Sequence, residues 1–263
     1  MHGRLGILIA MFVLTGCLAA PPKGPDFDAV TLAAAPADKA LLVVFRAHAE
    51  PTGLAARIYV GDDEVMRLPE EAFGVAVVEP GDHPLALAWP PASATPGWEG
   101  NGSWAAGQTY YYELTGTAGR GFYFRSQLGE MDARLADVKM RACCRLNTEQ
   151  KGNAAVLATP PPAPVATAKR DVSFAAIKAG MLPKEVIDLI GPPDSVSSKY
   201  TGSGKNPFSF SADTFREYWG YAGVGFVAFS HNNYNNTPRV IETAAGDAPR
   251  PKEPVKKATP RRR

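Results

Sequence analysis

The chain has 263 residues, 45% of them hydrophobic and 21% charged, with a formal net charge of +2 at neutral pH, a composition that allows a real core in one large or two small domains. Three cysteines are too few for a disulfide framework. Charge is unevenly placed: residues 17–249 carry 20 Lys and Arg against 25 Asp and Glu, while residues 250–263 carry seven basic residues against Glu253, so an acidic body ends in a basic tail and no nucleic acid is expected as a partner.

Met1-His2-Gly3-Arg4 gives a positive start, Leu5 to Leu14 is an apolar run, and Thr15-Gly16 places small residues before Cys17. The run is too short to span a bilayer, which takes roughly 20 apolar residues, so it reads as a cleaved export signal. Leu14-Thr15-Gly16-Cys17 resembles the lipobox of bacterial lipoproteins. That resemblance implies cleavage after residue 16, acylation of Cys17 and attachment to membrane lipid through its acyl chains. It implies further, from Leu18 after the cysteine, an outer-membrane, periplasm-facing address. An exported chain meets no cytosolic nucleotide pool, and no cofactor is expected.

Residues 17–37 are Ala and Pro rich without a period and read as a tether. Ala40 to Arg46 is a short apolar, β-branched run that predicts a strand. Arg57 to Val60 and Glu64 to Leu68 flank Gly61-Asp62-Asp63 and predict a hairpin. Gly74 to Val78, the Pro80-Gly81 turn, Leu85 to Trp89, Gln108 to Leu114 and Gly121 to Arg125 continue a series of strands and turns that suggests an antiparallel β-sandwich or open barrel. With Ile58-Tyr59-Val60-Gly61-Asp62, Pro80-Gly81-Asp82-His83-Pro84-Leu85 and Gly107-Gln108-Thr109-Tyr110-Tyr111, residues 38–128 resemble an uncharacterised sandwich domain of bacterial lipoproteins and PEGA-type modules. Pro90 to Trp104 is an insertion relative to that pattern. Its tryptophans, with Trp89, Trp98 and Trp104 as candidates, suit either a ligand-stacking platform for glycan or the rim of a small core.

Glu130 to Arg145 reads as a charged connection, with Met131, Leu135 and Val138 at roughly helical spacing or, alternatively, a last strand ending near Leu146. Within it Cys143 and Cys144 are adjacent, too close for an ordinary bridge; buried thiols, a strained vicinal disulfide and reactive use all stay open. Pro-rich residues 151–170 predict a linker that closes a first domain at residue 150.

Beyond the linker the period changes. Val172 to Ile177 and Pro183 to Ile190 predict two helices, the second begun by Pro183 and stopped by Gly191-Pro192-Pro193. Phe215 to Tyr221, Val224 to Ser230 and Arg239 to Glu242 predict three strands. Gly180-Met181, Glu185-Val186, Leu189-Ile190-Gly191-Pro192, Tyr218-Trp219-Gly220-Tyr221 and Phe226-Val227-Ala228-Phe229 resemble the SmpA/OmlA family of outer-membrane lipoprotein domains, the BamE-like fold, over residues 171–246. Leu182 stands where that family has a capping Ser or Thr. The resemblance implies a non-enzymatic role beside an envelope protein partner, with Phe208, Tyr218 and Tyr221 as candidate contacts. The expected fold is thus mainly β with α+β: an N-terminal antiparallel sandwich and a small two-helix, three-strand domain. The tail, residues 247–263, suits a disordered solubilising segment or an anionic lipid or acidic partner.

Catalytic patterns fail on spacing. Gly202-Ser203-Gly204-Lys205 has Lys199 where a phosphate loop needs its first glycine, and Asn206 where it needs Ser or Thr. Ser103 lacks the following glycine of a nucleophile elbow, which is Ala105. His48, His83 and His231 have no ligand spacing. Asp62, Asp63, Glu64, Glu70 and Glu71 lack a calcium-loop order. The expectation is a chain that binds and supports rather than one that catalyses.

Overall fold

The computed structural model describes residues 21–47, 49, 51, 53–118, 124–148, 173–200, 215–232 and 235–246. Cys17, Phe208, the 151–170 linker and the 247–263 tail lie outside them. The architecture is mainly β, with three sheets and two α-helices among the described residues.

The continuous apolar run becomes β1 (Ala40–Arg46), buried along its whole length, as a strand covered on both faces should be. Around it lie β2 (Ala56–Val60), β3 (Asp63–Leu68), β4 (Ala72–Val78), β5 (Gly81–Ala88), β6 (Trp98–Trp104), β7 (Thr109–Ala118), β8 (Phe124–Met131) and the two-residue β9 (Arg145–Leu146). They form sheet I, in the order β8-β7-β1-β4-β9, and sheet II, in the order β3-β2-β5-β6. Pairing is mostly antiparallel, but β1–β7 and β4–β9 are parallel, so sheet I is mixed. The β2–β3 hairpin turns at Gly61, whose φ of +59° suits a residue without a Cβ.

One apolar cluster joins Leu42 and Val44 of sheet I to Ile58, Leu85 and Leu87 of sheet II. The alternate residues of β1, Leu41, Val43 and Phe45, point to the opposite face and a second cluster, since successive strand side chains alternate. Phe27, Val30, Ala136 and Met140 cover that second face.

Phe27 and Val30 correct the reading of residues 17–37 as a tether. From Gly24 onward the segment is part of the fold: Phe27 meets Phe73 edge-on at 5.2 Å, and Asp26 bridges to Arg145. Two isolated apolar residues in an Ala and Pro background carry no period, which hid their burial.

The charged connection resolves into both of its alternatives, α1 (Ala133–Cys143) followed by β9. The Asp132 side chain accepts from Arg134 N–H at 2.9 Å and caps the helix. Ala136 and Met140, one turn apart, pack on the apolar face of sheet I; in the neighbouring row Leu135 packs toward Trp219 and Phe229, and Lys139 lies at the boundary, paired with Glu113 of β7 and Glu217 of β11.

That second row meets sheet III, which is built from β10 (Ser195–Tyr200), β11 (Phe215–Tyr221), β12 (Gly225–Asn232) and β13 (Asn235–Ala245) in sequential antiparallel order. Its inner face shares a cluster of Val186, Ile187, Trp219, Val227 and Phe229 with Leu135. Here the expected two helices and three strands become one helix and four strands. The first expected helix is a single 3-10 turn, Phe174–Ala176, because the chain leaves it at Gly180 to pair with β13: Gly180 N–H donates to Val240 O, and Val240 N–H to Met181 O. α2 (Pro183–Ile190) forms as expected. Leu182 cannot cap it with a side chain, yet Glu185 accepts from Leu182 N–H at 2.7 Å, the half of a capping box that needs no polar cap residue. The strand β10, Ser-rich and followed by glycines, carried too little β-branched signal to be expected.

Candidate functional site

Among the described residues, a cluster of buried charge lies at the junction of α1 with sheets I and III. β7, the neighbour of β1 in sheet I, passes beside α1, and its Glu113 reaches Lys139 of the helix; β11 presents Glu217 from sheet III. Lys139 Nζ donates to both carboxylates at 2.8 Å. The Lys139 side chain is only 8% exposed and that of Glu217 7%. Trp219 Nε1–H donates to Glu217 Oε1 at 2.5 Å, fixing that carboxylate in place.

Burial opposes the Lys139 charge, but Glu113 and Glu217 outweigh it and hold the ammonium above the ordinary lysine range. Burial likewise pushes the Glu113 carboxyl up; Lys139 pulls it down and Glu217 pushes it up again, and the net direction is upward. The lysine keeps its proton, and the Glu113 carboxyl takes one more readily than a free glutamate.

A second buried cation closes one end of the first two sheets. Arg46, the last residue of β1, falls on the inner face with Leu42 and Val44 and is fully buried. Its guanidinium donates to Leu54 O at 2.6 Å, Ala49 O and Pro51 O at 2.7 Å, and Leu68 O at 3.2 Å. It also lies over the Trp89 ring at 4.9 Å, a cation–π contact.

The expected tryptophan platform is largely internal. Trp89 and Trp104 are buried and Trp98 half-buried. Trp89 Nε1–H donates to Ser126 Oγ at 3.0 Å and Trp104 Nε1–H to Tyr112 Oη at 3.2 Å. β6 alternates Trp98, Gly100, Gly102 and Trp104 on its inner face, and a Cβ on Gly100 or Gly102 would fall 2.5 or 2.2 Å from the neighbouring indole. The glycines are the floor on which the rings lie, an arrangement known to rescue glycine in strands. His83 stacks on Trp104 at 5.7 Å. The core-rim alternative describes Trp89 and Trp104; only Trp98 retains a face toward solvent.

Tyr218 and Tyr221 are also corrections. Both were expected as exposed contacts and both are buried, at 6% and 2% exposure. Tyr221 packs in the sheet III core and its hydroxyl donates to Gly191 O at 3.1 Å, while Tyr218 meets Phe226 edge-on at 5.7 Å on the other face. The exposed large apolar side chains of the described residues are instead Val77, Leu189 and Ile241.

Cys143 and Cys144 are joined as a vicinal disulfide at the end of α1. Cys144 is buried, its Sγ 3.9 Å from Arg46 O, and Cys143 is half-buried.

Sequence reasoning missed Arg46, Glu113, Lys139 and Glu217. The signal for Arg46 was present, as the third member of an inward alternation begun by Leu42 and Val44. Lys139 follows Leu135 by one turn and could have been placed on the same face. Its partners lie on distant strands, which no local pattern relates. Among the described residues, no group of three or more His, Cys, Asp and Glu is placed to hold a metal ion, and no helix is long and apolar enough to cross a membrane. Compared with protein-family models, curated proteins and solved structures, the chain has no match.

Proposed function

We propose that the chain is an outer-membrane lipoprotein, anchored through Cys17 and facing the periplasm, that acts as a non-catalytic scaffold or accessory factor in envelope assembly or integrity. In this reading sheets I and II are the β-sandwich lipoprotein module and sheet III with α2 is the SmpA/OmlA-like module. The observation that carries it is α1, whose two rows of side chains pack on sheet I and sheet III at once. A helix shared in this way makes a rigid two-part platform. The groups best suited to chemistry, Arg46, Lys139, Glu113 and Glu217, are engaged in holding it together.

With Tyr218 and Tyr221 inside, the surface offered to a partner is better represented by Leu189 and Ile241, 49% and 40% exposed. The test is crosslinking in living cells followed by detergent extraction and mass spectrometry. A stoichiometric envelope protein joined to the native chain, and reduced by Leu189→Glu or Ile241→Lys, is the expected result. Capture unchanged by these substitutions removes the site assignment, and a chain found only as a soluble monomer removes the scaffold reading.

Glycan binding is the second reading, supported by the one half-exposed ring, Trp98, beside exposed Glu99 and Asn101 on the edge strand β6. Retention on purified peptidoglycan lost in Trp98→Ala would favour it.

A further inference from the structure

Gly24 marks where the chain joins the fold. A Cβ there would lie 2.1 Å from Leu146 O. Leu146 N–H donates to Pro25 O and Phe27 N–H to Cys144 O, each at 2.9 Å, and Arg145 pairs with Asp26 at 2.7 Å. Phe27 is buried against Phe73. These contacts set the start of the body firmly against β9 and the first residues of β4.

Sheet register says which end of the body this is. Leu146 pairs with Phe73, Phe73 with Phe45, and Ala72 with Arg46. The opposite end of β1 is Ala40, opposite Val78, where Lys39 pairs with Glu79 at 2.6 Å. β1 has seven residues, so the two ends are roughly 20 Å apart at the usual rise per strand residue. Residues 24–39 therefore run from one end to the other.

Only seven peptide steps separate Cys17 from Gly24. Fully extended, they reach roughly 25 Å at about 3.3–3.6 Å each, but a flexible segment of that length spans about 13–16 Å on average, less than the separation of the two ends. Resting on the lipid attachment proposed above, the geometry points to a preferred orientation: the β9–β4 end faces the bilayer, and the Lys39–Glu79 end points away. The partner of this end is the lipid headgroup layer. Charge there is mixed, with Lys23 and Glu71 exposed and Arg145 paired to Asp26, so a short anchor sets the approach, not a one-sign patch, and salt should not release it. Any envelope partner would then have to engage the sides or the far end of the body.

The experiment uses the full acylated chain in phosphatidylethanolamine/phosphatidylglycerol vesicles that carry a headgroup acceptor dye. A donor is placed on a noncanonical residue at Thr148, beside the anchor end, or at Asp82, beside the far end; both positions are exposed. Energy transfer should be several-fold greater from Thr148, the same at low and high salt, and should become equal for the two sites when about 20 flexible Gly-Ser residues are inserted after Pro21. An acylated chain with equal transfer from both sites, or more from Asp82, overturns the orientation alone. An intact mass without acyl chains overturns the anchoring and the orientation with it.

Discussion

Arg46 and Lys139 are both cations removed from water, and they are satisfied by different chemistry. Among the described residues, Arg46 takes four carbonyl oxygens, three from the adjoining loop and one from Leu68 at the end of β3. Lys139 takes two carboxylates from β7 and β11, strands of different sheets. Carbonyls do not titrate, so those bonds to Arg46 hold at any pH that leaves the fold intact. The Lys139 cluster contains the Glu113 carboxyl, whose pKa burial raises, and must respond to pH. Arg46 is a local clasp over one end of sheets I and II, whereas Lys139 is a joint between sheet I and sheet III.

The largest effect expected from that contrast is at the joint. Lys139→Met leaves Glu113 and Glu217 buried side by side without their cation, a loss of about 3–5 kcal/mol by analogy with other broken buried pairs. Denaturant unfolding should split into two steps, because the charged tie between α1 and sheet III is then lost and Leu135 is left as the buried apolar residue of α1 in that core. A single transition of unchanged midpoint would show that the two parts are coupled elsewhere.

Arg46→Met should cost somewhat less. Each carbonyl left dry without a donor costs about 1–3 kcal/mol, but the adjoining loop is free to relax and admit water, so about 2–3 kcal/mol in all is expected. Unfolding should stay a single step, and hydrogen exchange should rise in residues 53–56 and spare β11 and β12. Faster exchange across sheet III would contradict the local role.

This difference also marks what was legible in the sequence. β1, the β2–β3 hairpin, α2, β11 and β12 announce themselves through apolar runs, turn glycines and Pro183, all local signals. β6 does not, since Gly100, Asn101 and Gly102 disfavour a strand until Trp98 and Trp104 fold over the glycines. Phe27 and Val30 are single apolar residues in a polar-looking lead. Glu113, Lys139 and Glu217 each look like ordinary surface charges, and only the packing of α1 between two sheets brings them together. For the same reason Tyr218 and Tyr221 looked available: β11 is apolar on both faces, and both faces are covered.

A smaller effect separates the two cations by pH. The folded-state value of Glu113 is raised above its ordinary 4.5, so the native state binds that proton more tightly than the unfolded chain. Its contribution to stability is fully present below the ordinary glutamate range and is lost as pH rises through the raised value. Urea midpoints should therefore decline as pH rises above the ordinary glutamate range through this group. Glu113→Gln should flatten that slope at a net change under about 1.5 kcal/mol, since an amide oxygen still accepts from Lys139. Arg46→Met should leave the slope as it is. An undiminished slope in Glu113→Gln would assign it to other carboxylates.

The smallest effect falls where the two cation sites come closest. α1 carries Lys139 on its last turns and ends at Cys144, whose sulfur contacts the Arg46 carbonyl. The Cys143–Cys144 bond closes a ring between adjacent residues. Loop-closure entropy for so small a ring is about 1 kcal/mol, far below that of a long-range staple. Treatment with a dithiol reductant should add the mass of two hydrogen atoms and lower stability by no more than that amount, with the pH slope from Glu113 unchanged. Met140 O already accepts from Cys144 N–H at 2.8 Å and closes the helix without the sulfurs, which is why α1 should keep its register. A reduced protein that unfolds in two steps, as expected of Lys139→Met, would mean that the disulfide, and not the backbone bond, holds α1 between its two sheets.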